Sequence, residues 1–118
     1  HRCVAIADGF YEWKREANMK TPFYFSRNDK KNIYFAGIYE KDQFCLITEQ
    51  ADKNIEEIHH RQPVILKEQD INRYLNLEIP GSSFLISREK PKLSFYKISK
   101  DVNKPTNNNI SLLQEIKK

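Results

Sequence analysis

The sequence predicts an α+β fold: a β-rich, antiparallel, barrel-like sheet with a few short helices. Three observations carry this expectation. Short aromatic and β-branched runs recur through the first half, punctuated by turn residues. Apolar residues take up helical spacing only briefly, in the middle of the chain. A length of 118 residues suits one domain with a real core.

Each element follows from its own pattern. RCVAIA (2–7) and FYEWK (10–14) read as strands flanking Asp8-Gly9, a turn dipeptide. REANMKT reads as a polar loop before PFYFSR, where Phe23 and Phe25 alternate against Tyr24 and Ser26. Asn28 to Asn32 then turns the chain into IYFAGIYE, and QFCLIT completes the series after Lys41-Asp42. A helix is expected over 51–59, with Ile55 and Ile58 on one face, and a second over 68–76, with Ile71, Tyr74 and Leu75 together. Between them Pro63-Val64-Ile65-Leu66 reads as a short buried strand. Leu77 to Ser87 is irregular around Pro80-Gly81, SFYKIS is a last strand, VNKPTNNN is loop, and ISLLQEI is a short amphipathic end.

Composition narrows the function classes. Hydrophobic residues make up 39% and charged residues 31%, so the surface is well solvated. No run approaches the roughly 20 apolar residues of a membrane helix, and no membrane partner is expected. The chain opens on HRCVAIADG, without Met and without a signal-peptide pattern, as expected of a fragment or processed product. Cys3 and Cys45 lack CxxC spacing, which points to a reduced, cytoplasmic compartment, with a single Cys3–Cys45 disulfide as the alternative. The net charge of +4 is uneven: from Arg88 onward eight basic residues face three acids, whereas the first 87 residues hold 12 basic and 13 acidic. A basic C-terminal third fits a polyanion such as nucleic acid, although lysine-rich tails are also ordinary on soluble proteins.

Two places stand out chemically. EEIHHRQP (56–63) holds His59 and His60, two of three histidines in the chain. Neighbours on a helix diverge by about 100°, and zinc-binding helices space histidines by three or four, so no metal is expected. A histidine beside the buried Ile58 suits proton transfer; the plain alternative is a helix-end histidine favoured by the dipole. Glu12, set among Phe10, Tyr11 and Trp13, shares its strand face with Phe10 and Lys14. A carboxylate on apolar surface is a candidate acid/base or acceptor for a cation; the alternative is a solvent-facing pair with Lys14. Cys45 in FCLIT is inert packing on the plain reading, or a nucleophile near His59.

ADGFYEW, KTPFYF, FAGIYE, the strand ending in Thr48, IHHRQPVIL and ISKDVNKPTNNN follow one another in that order. The set resembles the SRAP family, the SOS-response-associated peptidases, also described as abasic-site processing proteins. The resemblance runs from about Arg2 to Asn109 and corresponds to the C-terminal half to two thirds of a typical family domain. It implies one domain over 1–118 lacking the N-terminal segment. It also implies covalent crosslinking to abasic sites in single-stranded DNA, with no cofactor: the α-amine of an N-terminal cysteine attacks the sugar aldehyde, and its thiol closes a thiazolidine. By the resemblance Glu12 holds the amine and His59 moves a proton at the sugar oxygen. Arg61 contacts phosphate, Thr48 lies beside the site, and Trp13 and Lys100 join the DNA-binding set. The chain departs from the family where His60 and Gln62 replace the acid and the apolar residue of His-Asp-Arg-Met-Pro, so His60 is expected to be exposed. It departs further in having no Met-Cys-Gly-Arg, and Cys3 is not the nucleophile. Two other readings stand beside this one. The first is a non-catalytic single-strand-binding module that stacks bases on Tyr11, Trp13 and Tyr39. The second is a cysteine peptidase acting on its own N-terminus.

Overall fold

A computed structural model of the chain describes residues 1–81, 85 and 88–116. Among the described residues, alternation of aromatic and small or polar residues produces nine short strands: β1 (Arg2–Ala7), β2 (Phe10–Glu16), β3 (Met19–Arg27), β4 (Ile33–Glu40), β5 (Gln43–Leu46), β6 (Thr48–Gln50), β7 (Arg61–Pro63), β8 (Ile65–Leu66) and β9 (Leu93–Lys97). A 3-10 turn at Glu68–Asp70 leads into a short helix, α1 (Ile71–Leu75), and further 3-10 turns cover Lys100–Asn103 and Ile110–Leu113.

The strands pair antiparallel in three groups. β4 is the hub of the first, flanked by β1 on one side and β5 on the other, with β8 also paired to it. The second runs β2-β3-β9, and the third is the β6–β7 hairpin. Asp8-Gly9 therefore carries the chain from one sheet to the other instead of folding it back. Gly9 is required there because a Cβ would fall 2.3 Å from the Tyr24 hydroxyl and 2.5 Å from the Phe25 carbonyl oxygen.

The inner faces of the sheets meet through aromatic rings. Phe10 stacks on Phe25 with centroids 4.9 Å apart and packs edge-on against Phe35 of β4 at 5.6 Å. Phe25, Ile33, Leu66 and Val64 are fully buried, each side chain contributing about 1.5–3 kcal/mol of transfer free energy. Behind the β1–β4 sheet, Tyr74 of α1 is buried and its hydroxyl donates to the Gly37 carbonyl at 2.6 Å. The Arg2 guanidinium donates to the carbonyls of Tyr74 and Ile79, both at 2.8 Å, closing the C-terminal end of α1.

Several expectations are corrected. Residues 51–59 are not a helix but successive turns, with Ile55 and Ile58 still buried. Ala51 N–H donates to the His60 carbonyl at 3.0 Å, so the two ends of the segment are neighbours. A nine-residue helix would hold them about 13 Å apart. REANMKT is not a loop: β2 and β3 extend through it to a tight turn at Ala17-Asn18, with Glu16 opposite Met19. The strands expected over 43–48 and 63–66 each break at one residue. Ile47 N–H donates to Ala36 and Val64 N–H to Ile47, which moves the chain from one ladder to the next. Leu75 is 41% exposed while Tyr74 is 1%, because five residues of helix present too narrow a face to bury both. Cys3 and Cys45 are both free. They lie on β1 and β5, either side of β4, about 9–10 Å apart at the usual strand spacing and beyond the ~7 Å reach of a disulfide. The irregular segment expected over 77–87 lies partly outside the described residues, as do Lys117 and Lys118. Among the described residues no helix is long and apolar enough to cross a membrane.

Candidate active site

Three local decisions build the site. The β2–β3 hairpin places Glu12 and Trp13 near its end and sets Arg15 opposite Lys20. The turns of 51–60 bury Ile55 and Ile58 against Phe25, which brings His59 to the side of that hairpin. The 3-10 turn after β9 is capped by the Ser99 hydroxyl, which accepts from Asp101 N–H at 3.1 Å, and it lays Val102 and Asn103 on the other side.

The result is a cleft of about 630 Å³ lined by Glu12, Trp13, Arg15, Lys20, His59, Val102 and Asn103. Glu12 is half-buried, and its Oε1 accepts from the Trp13 backbone N–H at 3.2 Å. The Trp13 indole N–H donates to Asn103 Oδ1 at 2.6 Å, which fixes the ring as a wall. Arg15 and Lys20 face one another across the ladder, an arrangement of like charges that costs stability unless an anion joins them.

His59 is held from one side. Its Nδ1 lies 3.1 Å from the Arg61 backbone N–H and 3.0 Å from the Arg61 carbonyl. The N–H serves an unprotonated Nδ1 and the carbonyl a protonated one, so either tautomer keeps the ring in place. His60 is exposed and stacks its ring on His59, with centroids 4.7 Å apart and 22° between planes. The divergence expected of helical neighbours is thus corrected, because the chain has left the turns by His59 and bends at His60 before β7. Among the described residues no three His, Cys, Asp or Glu side chains gather as a metal site.

Glu12, Trp13 and His59 therefore share one cleft. Arg61 and Thr48 form a second group on the adjoining hairpin: Arg61 Nη2 donates to the Thr48 carbonyl at 2.9 Å and to its hydroxyl at 3.3 Å. The Arg61 backbone contact with His59 joins the two groups. Lys100 is exposed on the same 3-10 turn as Val102 and Asn103.

Tyr39 and Cys45 are not brought to this site. Tyr39 stacks on His1 at 5.2 Å, and both line a different pocket with Cys45 on the β4–β5 hairpin. That arrangement removes Tyr39 from a shared stacking surface with Tyr11 and Trp13, and separates Cys45 from His59.

Sequence reasoning missed Arg15, Lys20, Val102 and Asn103. Arg88 and Lys90, counted in the basic C-terminal third, turn out to be paired. Arg88 is buried and donates to Glu49 at 2.7 Å, while Lys90 lies 3.1 Å from Asp52. Gln62, which stands where the family motif has an apolar residue, is buried; it accepts from Asp52 N–H at 3.0 Å and donates to Asp52 Oδ2 at 3.2 Å. This polar network braces the hairpin that carries Arg61. Only the ISKDVNKPTNNN motif signalled Asn103.

The family model described as SOS response associated peptidase (SRAP) matches residues 1–105. The chain is 31% identical to abasic site processing protein YMR114C of Saccharomyces cerevisiae over 99% of its length, covering 36% of that protein. It is 30% identical to abasic site processing protein YedK of Escherichia coli, with 98% of this chain and 58% of that one covered. A crystal structure of a Bacteroides thetaiotaomicron protein superposes with a TM-score of 0.79 at 26% identity, over 98% of this chain and 56% of that one. The chain thus spans less than two thirds of the length of each of these relatives.

Proposed function

We propose that this chain, which belongs to the SOS response associated peptidase (SRAP) family, is the C-terminal portion of a domain that captures abasic sites in single-stranded DNA. The observation that carries the proposal is the cleft itself, where Glu12 and His59 come from distant elements to face one space rimmed by Arg15 and Lys20. Relatives named as abasic site processing proteins support the substrate class. The lack of CxxC spacing between Cys3 and Cys45 fits a reduced, cytoplasmic setting.

In this reading the nucleophile is the N-terminal cysteine of the family's Met-Cys-Gly-Arg start, a motif not found within these 118 residues. Its amine adds to the C1′ aldehyde of the ring-opened sugar; loss of water gives the imine, and the thiol adds to the imine carbon to close the thiazolidine. Glu12 accepts hydrogen bonds from the amine and orients it. His59 moves a proton through Nε2 to or from the sugar ring oxygen as the ring opens and recloses. Arg15, Lys20, Arg61 and Lys100 take backbone phosphates, with Thr48 bracing Arg61. Trp13 stacks against the neighbouring base.

The test uses the full-length protein with an abasic single-stranded oligonucleotide. A denaturation-resistant band is expected. His59→Ala and Glu12→Gln should each slow its formation or reversal by about a hundredfold or more, the usual weight of a positioned acid or base. Absence of the band with an intact N-terminal cysteine sinks the proposal; wild-type rates in both variants remove the assigned roles.

A further inference from the structure

The outer face of the β2-β3-β9 sheet carries a feature that the crosslinking chemistry does not use. Side chains alternate across a sheet, so Phe10, Phe25 and Phe95 pack inward while the residue after Phe10, before Phe25 and after Phe95 points away. All three of those positions are tyrosine: Tyr11 lies opposite Tyr24, and Tyr24 opposite Tyr96. Their rings form a chain, with Tyr11 to Tyr24 at 5.9 Å and Tyr24 to Tyr96 at 5.8 Å. Trp13, the wall of the cleft, continues it at 6.3 Å from Tyr11. None of the three tyrosines is buried, and Tyr11 is 36% exposed.

The ends of this row are positively charged. Arg15 and Lys20 stand beside Trp13, at the mouth of the cleft. At the far end Tyr24 and Tyr96 border a concavity of about 390 Å³ lined also by Lys30, Lys31 and Asp8. Lys30 is exposed, and the contact of Lys31 with Glu68 is long, at 3.9 Å. Burial first, then neighbouring acidic and phenolic groups, raises the pKa values of Tyr24 and Tyr96 above the ordinary value, so both rings stay neutral through the physiological range.

We propose that the Tyr11–Tyr24–Tyr96 row is a stacking path for unpaired bases of the DNA strand leaving the cleft, with Lys30 and Lys31 receiving phosphate beyond it. The inference rests on the single-stranded DNA reading above and extends it from the reacting nucleotide to its neighbours. Aromatic rings aligned across adjacent strands, with cations at both ends, match the sheet surfaces that hold two or three bases. An abasic nucleotide offers no base of its own, so the flanking bases must supply the grip.

The test measures fluorescence anisotropy of the full-length protein with two labelled abasic oligonucleotides. One is a trinucleotide confined to the cleft; the other extends by six nucleotides on either side. Wild type should bind the longer one more tightly. Tyr11→Ala should reduce that preference at least about fivefold, as expected for loss of one stacked base, while Tyr11→Phe retains it and trinucleotide binding is unchanged. A 5-iodouracil-substituted long oligonucleotide irradiated with the unmodified wild-type protein should crosslink to Tyr24 or Tyr96, a readout that needs no substitution. Equal binding of both lengths, a preference that survives Tyr11→Ala, or crosslinks confined to the β1–β4–β5 sheet would overturn the path. Wild type that binds and crosslinks neither oligonucleotide overturns the functional reading itself.

Discussion

The molecule uses its cations in two different ways. Behind the β6–β7 hairpin and at the end of β3, the guanidinium groups are closed off. Arg88 is 1% exposed against Glu49, and Arg27 is 6% exposed between Asp29 at 2.6 Å and Glu68 at 3.4 Å. Around the cleft, Arg15, Lys20 and Lys100 are exposed, and two of them oppose each other across a ladder. A buried cation without its carboxylate is costly, so the first set holds the fold. An exposed one contributes little to folding and remains available to a phosphate. Overall charge is therefore a poor guide to the binding surface: Arg88, which raises the basic count of the C-terminal third, is closed off against Glu49, and Lys90 is paired with Glu49 and Asp52.

The sharpest way to break this contrast is Arg88→Ala. It removes the shortest partner of Glu49 and leaves only the 3.4 Å contacts to Lys90 and Gln62, so a loss of about 3 kcal/mol is expected from urea denaturation; an unchanged midpoint would falsify the structural role. A smaller effect is expected from acid. The Arg27 guanidinium, then the Lys31 backbone N–H, hold the Asp29 carboxyl below its ordinary pKa. A folded value below the unfolded one means the stabilisation is present above about pH 4 and is lost as pH falls through the folded value. Acid titration of stability should therefore shallow in Asp29→Asn relative to wild type; superimposable curves would show that Arg27 does not act through Asp29. The smallest effect on folding belongs to the rim. Lys20→Ser should leave stability within about 0.5 kcal/mol, yet lower the salt dependence of single-strand binding by about 0.7 in log–log slope. A melting shift with unchanged salt slope would reverse the assignment and make Lys20 structural.

The contrast also explains what was legible beforehand. Strand positions were readable because a two-residue alternation records which side of a sheet is buried, as Phe23 and Phe25 against Tyr24 show. Glu12, His59 and Arg61 stood out as residue types misplaced among apolar neighbours and as members of a family pattern. Arg15 and Lys20 did not, since they lie in REANMKT, whose polar composition looks like a loop until the hairpin register pairs them. Ile55 and Ile58 were correctly buried for an incorrect reason, because turns and helices both bring residues three apart onto one side.

By itself the sequence determined the α+β, strand-rich character, the apolar positions of the core, and the family with its candidate site residues. These depend on local periodicity and on the identity of short motifs, both written along the chain. Only the tertiary structure decided that β1 pairs with β4 across an intervening hairpin, that residues 51–60 must return to their starting point, and that His59 and Glu12 share a cleft. It also decided that three tyrosines from three strands align. Each of these rests on contacts between residues far apart in sequence, and their free energy depends on which partner arrives, a quantity no local pattern contains.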